Sequence, residues 1–106
     1  MKIFLDDLRI PPDNTWTTAR TAQEAIFLLD NSSIEIISLD HDLGIIEKFG
    51  REASGIDVIN HIEKKVIENK NYIPPQILCH TQNPVGRENI LRARNKILKL
   101  VVDRCS

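Results

Sequence analysis

Three short segments of the sequence combine aspartate and histidine in a way that could do chemistry on a phosphate group. The segments are Asp6-Asp7, Asp40-His41-Asp42 and His80-Thr81, and each follows a short apolar run. Carboxylates gathered in one crevice repel each other, and either protonation or a hard divalent cation relieves the repulsion. We therefore expect Asp6, Asp7 and Asp40 to hold a divalent metal, Mg²⁺ or else Mn²⁺. The alternative is that some of these acids only cap turns or helices, a common role for aspartate.

Two histidines, His41 and His80, come at the ends of apolar runs in these segments. A pair of imidazoles suits general acid and base work on a phosphoester, because one can remove a proton from water while the other protonates the leaving oxygen. We group His41, His80 and Asp42 as the candidate catalytic residues. Metal binding or a structural hydrogen bond remains an alternative role for either histidine. His61 lies in the middle of a predicted helix, and we expect it to be solvated or half-packed.

Four further residues are candidates for binding phosphate: Arg9, Thr81, Asn83 and Gly86. Arginine pairs with phosphate through two parallel hydrogen bonds. Thr81 and Asn83 offer uncharged donors, and Gly86 opens a predicted helix whose amino terminus would favour an anion. The alternative for Arg9 is a surface side chain bonded to Asp6 or Asp7.

The elements that must position these residues alternate between strand and helix. Strands are predicted at 2–6, 15–19, 34–40 and 75–80, with a fifth, edge strand at 100–103, and helices at 22–29, 55–69 and from about 86 onward. Helical periodicity places Ala22, Ala25, Ile26 and Leu29 on one apolar face of the first helix, and it predicts that Ile90, Ala93, Ile97 and Leu98 of the last helix face inward. Such alternation predicts a parallel sheet with right-handed crossovers, in which ligands bind beyond the carboxyl ends of the strands. The three chemical segments all follow strand ends. The long segment 41–54 is predicted to be a functional loop.

The composition excludes several classes of protein. The chain has 106 residues, which predicts one domain over 1–106, and its 14 basic and 15 acidic residues predict no extended DNA binding and no attraction to a membrane surface. It contains no apolar run long enough to span a bilayer and no signal-peptide pattern. Cys79 and Cys105 are therefore expected to be reduced thiols in a cytoplasmic protein, with Cys79 in the core.

Part of the chain resembles the receiver domain of response regulators. The resemblance runs from Thr17 to Ile59, where Ile34–Asp40 is similar to the strand that ends in the receiver's phosphoacceptor aspartate. The pair Asp6-Asp7 is similar to the receiver's magnesium-binding acids. The chain departs from receivers because Pro11-Pro12 occupies the place of the first helix, and because the last strand lacks the lysine that contacts the acyl phosphate.

A narrower family fits more of the chain. Its motifs are similar to Leu5-Asp6-Asp7-Leu8-Arg9, Pro11-Pro12, Ala19-Arg20-Thr21, Ser38-Leu39-Asp40-His41-Asp42-Leu43-Gly44 and His80-Thr81-Gln82-Asn83-Pro84-Val85-Gly86. The sequence thus resembles the cyclic-phosphate-processing receiver-like family. The resemblance implies a flavodoxin-like, three-layer α/β sandwich with a five-stranded parallel sheet, a shortened first helix and no last helix. It also implies a phosphoesterase acting on the cyclic phosphate of a nucleotide or RNA end.

Two other functions remain open from the sequence. One is a receiver that uses Asp40 as its phosphoacceptor. The other is a non-catalytic module that binds a nucleotide or docks on a protein partner.

Overall fold

The computed structural model describes residues 1–40, 42–46 and 52–104, with 42–46 and 52–53 described through their backbone. The strands are β1 (Lys2–Leu5), β2 (Trp16–Ala19), β3 (Ile36–Leu39), β4 (Asp42–Ile46), β5 (Glu52–Ser54) and β6 (Gln76–Cys79). The helices are α1 (Ala22–Asn31), α2 (Gly55–Glu68) and α3 (Pro84–Arg104). No helix in these ranges is both long enough and apolar enough to cross a membrane.

A parallel sheet of four strands, in the order β2-β1-β3-β6, confirms the predicted α/β architecture. Leu5 is level with Leu39, and Leu39 is level with Cys79, so the carboxyl ends of three strands are aligned. The residue after each of these strands emerges at the same edge of the sheet. The ladder continues one step further, since the amides of Asp40 and His80 donate to the carbonyls of the preceding strands over 3.1 Å.

All three helices pack on one face of this sheet. The fully buried side chains of the strands that meet them are Ile3, Leu5, Ile37 and Leu39, at alternate positions of β1 and β3. The crossovers through α1 and α2 both advance in the same direction across the sheet, and right-handed connections then place both helices on the same side. The described residues therefore form two layers, and the predicted three-layer sandwich is wrong. Between β1 and β2 the described chain forms turns and bends and no helix.

The predicted fifth strand at 100–103 is also wrong, because these residues form the last turn of α3. Leu100 and Val101 pack against the core from the helix. The Arg104 guanidinium donates to the carbonyls of Asn69 and Tyr72, which ties the end of α3 to the chain after α2. Packing thus overrides the strand propensity of the two valines.

Two other predictions need correction. The segment 41–54, predicted to be a loop, contains the antiparallel strands β4 and β5. The helical periodicity of α3 predicted Leu98 to face inward, but its side chain is 54% exposed. In contrast, Ala22, Ala25 and Leu29 of α1 are buried as predicted. His61 is partly buried beside Asp30, in agreement with its predicted half-packed state.

Candidate functional site

Asp6 lies at the carboxyl end of β1 and is almost fully buried, with 1% of its surface exposed. Its Oδ1 accepts the backbone amides of Leu8 at 2.9 Å and Arg9 at 2.8 Å, so the chain after β1 folds around the carboxylate. Its Oδ2 lies 3.0 Å from Nε2 of His80. Both oxygens of this buried acid therefore have protein partners.

These hydrogen bonds decide the charge of Asp6. Burial alone raises the pKa of its carboxyl group, but the amides of Arg9 and Leu8 and the ring of His80 outweigh it and hold the pKa below its usual value. Asp6 is consequently an anion at neutral pH, and it offers a fixed negative charge to whatever lies beside it.

The His80 ring is held on three sides. Its Nδ1 lies 2.7 Å from Oγ of Ser38, and its face stacks on Phe4 with ring centroids 4.2 Å apart and an angle of 11° between the planes. Phe4 and Ser38 are level with each other on β1 and β3. Together with Asp6, they fix both the position and the orientation of the imidazole.

The partners of the two ring nitrogens define the tautomer of neutral His80. Because Asp6 is an anion, the nitrogen facing it carries the hydrogen, so Nε2–H donates to Oδ2. Nδ1 is then an acceptor, and the Ser38 hydroxyl donates to it. The imidazole is therefore held in one orientation beside a carboxylate, as proton transfer by a histidine requires.

Asp40 completes a cluster at the end of β3. Ligand atoms of Asp6, Asp40 and His80 all lie within 4.8 Å of one another. The chain of α2 begins directly against this cluster, since a Cβ on Gly55 would stand 2.3 Å from the carbonyl oxygen of Asp40. Gly55 is thus needed for the close approach of α2 to the site.

Asp7 contributes a repelling charge beside the cluster. Its pKa is raised by partial burial and by the charges of Asp6 and Asp40, which outweigh its own backbone hydrogen bond and the attraction of Arg20. This is the mutual repulsion that the sequence predicted for these acids. Arg20 also donates to the backbone carbonyls of Asp6 at 3.1 Å and Arg9 at 2.8 Å, and so supports the chain around the site.

The donor set fits a divalent cation. Asp6 and Asp40 are two of the three predicted ligands, and the third member of the cluster is His80 and not Asp7. A ring nitrogen that carries a hydrogen cannot bind a cation, so His80 serves either as a ligand or as a proton donor. Two carboxylates suit Mg²⁺, which usually keeps water and substrate phosphate in its remaining positions. An imidazole ligand would favour Mn²⁺ or another transition metal over Mg²⁺.

The predicted phosphate-binding residues after β6 build the start of α3. Oγ1 of Thr81 accepts the amide of Asn83 at 3.2 Å, and Oδ1 of Asn83 accepts the amides of Val85 at 3.1 Å and Gly86 at 3.2 Å. Asn83 is thus the N-cap of the helix. These contacts give Thr81, Asn83 and Gly86 a structural role beside the cluster.

The predicted residues of the remaining segments are placed differently. Arg9 lies at the rim, where Nη1 donates to the carbonyl of His80 over 3.1 Å. His41 lies outside the described residues. Asp42 is described through its backbone, as the first residue of β4.

Sequence reasoning missed three residues of this site: Phe4, Ser38 and Gly55. The one available signal for Ser38 was a hydroxyl in an otherwise apolar strand, and for Gly55 it was a glycine at a helix start. Phe4 gave no signal, because a phenylalanine in a buried strand is ordinary core.

A family model described as "Cyclic-phosphate processing Receiver domain" matches residues 1–96. The matched range contains all three chemical segments and every residue of the Asp6–Asp40–His80 cluster. No curated protein and no solved structure matches the chain at a significant level.

Proposed function

The chain belongs to the family of cyclic-phosphate-processing receiver domains, and from that premise we propose that it is a metal-dependent phosphoesterase. Its substrate would be the cyclic phosphate of a nucleotide or of an RNA end. The observation that carries the proposal is the cluster of Asp6, Asp40 and His80 at one edge of the sheet, with ligand atoms within 4.8 Å of one another.

Asp6 and Asp40 would hold the cation, and Asp7 would lie next to it. Bound there, a divalent ion would neutralise charge that develops on the phosphate oxygens in the transition state. The raised pKa of Asp7 supports this arrangement, because the repulsion among these acids is relieved when a cation binds.

His80 would act as the general acid. In hydrolysis of a cyclic phosphate, water oxygen forms a bond to phosphorus while one ring P–O bond breaks, and the leaving oxygen takes up a proton. The imidazolium form of His80, which the Asp6 carboxylate stabilises, would supply that proton and would return to the neutral ring. His41 is assigned the complementary role of accepting the proton of water, with Asp42 beside it in sequence.

Arg9 would contact the phosphate from the rim. Its side chain is exposed and is anchored through Nη1 to the carbonyl of His80. The anchor keeps the guanidinium next to the residue that donates the proton. The turn built by Thr81 and Asn83 positions the start of α3 on the same side.

The test is turnover by the purified protein. Substrates would be nucleoside 2′,3′-cyclic phosphates and an RNA oligonucleotide ending in a cyclic phosphate, with a linear nucleoside monophosphate as control. Reactions would contain Mg²⁺, Mn²⁺ or a chelator, and phosphorus NMR would identify the product. Ring opening that requires the metal is expected. Absence of turnover on every cyclic substrate, by a sample with a cooperative unfolding transition, would refute the proposal.

One observation favours a second candidate, a non-catalytic nucleotide-binding module. Both oxygens of Asp6 already have protein donors, so its buried charge is satisfied without a cation. Calorimetry separates the two functions. The module would bind nucleotide equally well with chelator and with Mn²⁺, and it would release no product.

A further inference from the structure

Strand β6 lies at one edge of the four-stranded sheet. In the described part of the chain, β6 pairs with β3 on one side and with no strand on the other. The amide of Gln76 donates to Glu35 at 2.9 Å, and the amide of His80 donates to Leu39 at 3.1 Å. Because backbone groups alternate along a strand, the N–H and C=O of Ile77 point to the open side.

An apolar groove of about 210 Å³ runs beside this edge, between β6 and α3. Pro75, Ile77 and Leu98 are among the residues that line it. Leu98 is the residue that helical periodicity assigns to the core, and it is 54% exposed. Leu98 is therefore a largely exposed leucine in the lining of the groove beside β6.

Arg94 is the charged residue of the groove. Its Nε is buried and has no hydrogen-bond acceptor among the described residues, and its Nη2 reaches only Oδ1 of Asn95 at 3.5 Å. A buried donor without a partner is destabilising, and more so when the group is charged. Among the described residues, no acidic side chain lines the groove to offset this charge. The complement of such a guanidinium is a carboxylate.

From these three features we infer that the groove is a docking site for an extended peptide segment of another protein, bearing an acidic side chain. The segment adds a strand to the sheet by pairing with the N–H and C=O of Ile77. Its carboxylate binds Arg94, and an apolar side chain covers Leu98. Strand addition of this kind obtains affinity from main-chain hydrogen bonds and specificity from side-chain pockets.

Charge decides between this occupant and a second copy of the chain. If β6 paired with β6 of another copy, each half of the shared groove would contain an Arg94 and neither half would supply a carboxylate from its lining. An acidic side chain on a partner segment can accept a hydrogen bond from Arg94, whereas a second copy of the chain adds another Arg94 whose Nε has no acceptor among the described residues.

A displayed library of random heptapeptides tests the inference against the immobilised full chain. We expect enrichment of peptides with strand-forming residues and an acidic residue at a fixed position. A synthetic peptide of the enriched sequence should shift the amide resonance of Ile77. Replacing its acidic residue by the matching amide should weaken binding at least about tenfold, which is 1.4 kcal/mol.

The matched protein variants are R94Q and R92Q. R94Q should lose the preference for the acidic peptide, while R92Q should retain it, since Arg92 lies on the same helix but is 70% exposed and pairs with Glu88. If R94Q does not fold, the comparison of acidic and amide peptides on the wild-type chain still decides the question.

Several results would overturn the inference. They are no enrichment of any peptide, equal binding of the acidic and amide peptides, or resonance shifts that do not include β6. Concentration-dependent self-association that shifts the Ile77 amide would assign the groove to a second copy instead.

Discussion

Two histidine–aspartate pairs of nearly equal length lie in different parts of this domain. Nε2 of His80 is 3.0 Å from Asp6, and Nε2 of His61 is 2.9 Å from Asp30. The side chains of the first pair are 17% and 2% exposed, whereas those of the second are 25% and 44% exposed. Distance alone therefore does not distinguish a candidate site from a surface contact.

The difference lies in what surrounds each pair. Asp6 also accepts two backbone amides, and His80 also contacts a hydroxyl and an aromatic face. Asp30 shares its oxygen with the flexible ammonium of Lys65 at 2.9 Å. The first ring has one orientation, fixed by several buried neighbours, while the second contacts a partly exposed carboxylate that also binds Lys65. Fixed orientation is what proton transfer needs, and solvent screening makes the second pair weak.

The largest expected effect is the loss of catalytic rate when His80 is replaced, compared with replacement of His61. H80Q should lower the rate of cyclic-phosphate opening by about 1000-fold, because general acid catalysis contributes about 10² to 10⁴. H61Q should leave the rate within about twofold. Steady-state kinetics on the same cyclic nucleotide would measure both. A similar loss in the two variants would show that the comparison does not separate a catalytic pair from a structural one.

The next largest effect is the loss of stability when Asp6 or Asp30 is replaced by asparagine. D6N should destabilise the fold by about 3 kcal/mol, because it removes the charged partner of a buried pair. D30N should cost less than about 1 kcal/mol, as exposed pairs usually do. Urea unfolding at neutral pH measures both values.

The pH dependence of these variants provides the control. The pKa of Asp6 lies below its ordinary value of 3.8, so the unfolded chain binds the proton more tightly than the folded one. The free energy of unfolding of the wild type should exceed that of D6N at pH values above the ordinary pKa of Asp6. This difference should disappear as the pH falls through the pKa of Asp6 in the folded protein. An advantage that persisted in acid would assign it to packing rather than to charge.

A smaller effect is expected for Ser38, which positions the His80 ring. S38A should slow turnover by about tenfold and cost about 1 kcal/mol of stability, because one buried hydrogen bond is lost. Nitrogen NMR of His80 should show a mixture of tautomers in S38A and one tautomer in wild type. S38T, which keeps the hydroxyl, should restore the single tautomer. An unchanged tautomer in S38A would assign no positioning role to Ser38.

The smallest effect concerns Asp7. Because its pKa is raised by burial and by neighbouring acids, D7N should stabilise the metal-free protein by about 0.5 kcal/mol. Saturating Mn²⁺ should reverse the order of stability of the two proteins, so that the wild type unfolds at a higher temperature than D7N. Calorimetric melting with and without the ion would measure this. If D7N remained more stable than the wild type by the same amount in Mn²⁺, the result would contradict a cation site beside Asp7.

The structure confirms the predicted convergence of Asp6, Asp40 and His80 at one edge of the sheet. Asp6, Asp40 and His80 each follow a short apolar run, and parallel pairing aligns the ends of such runs whatever the residues around them. The sequence-based prediction was wrong for residues 100–103, which are helical, and for Leu98, which is largely exposed. Strand propensity and helical periodicity are local properties, whereas the structure of this segment depended on what the chain packs against. The sequence did not identify Ser38 and Phe4 as site residues, because their role arises only when side chains from two strands contact His80 at the end of a third strand.

The sequence by itself thus determined which segments are strands and helices in most of the described chain, and which polar groups meet at the edge of the sheet. These follow from backbone geometry and from the alternation of apolar runs. The tertiary structure alone decided the partners of each His80 ring nitrogen, the single layer of helices and, among the described residues, the open edge of β6. Each of these depends on contacts between residues far apart in the chain, and no local pattern encodes such distances.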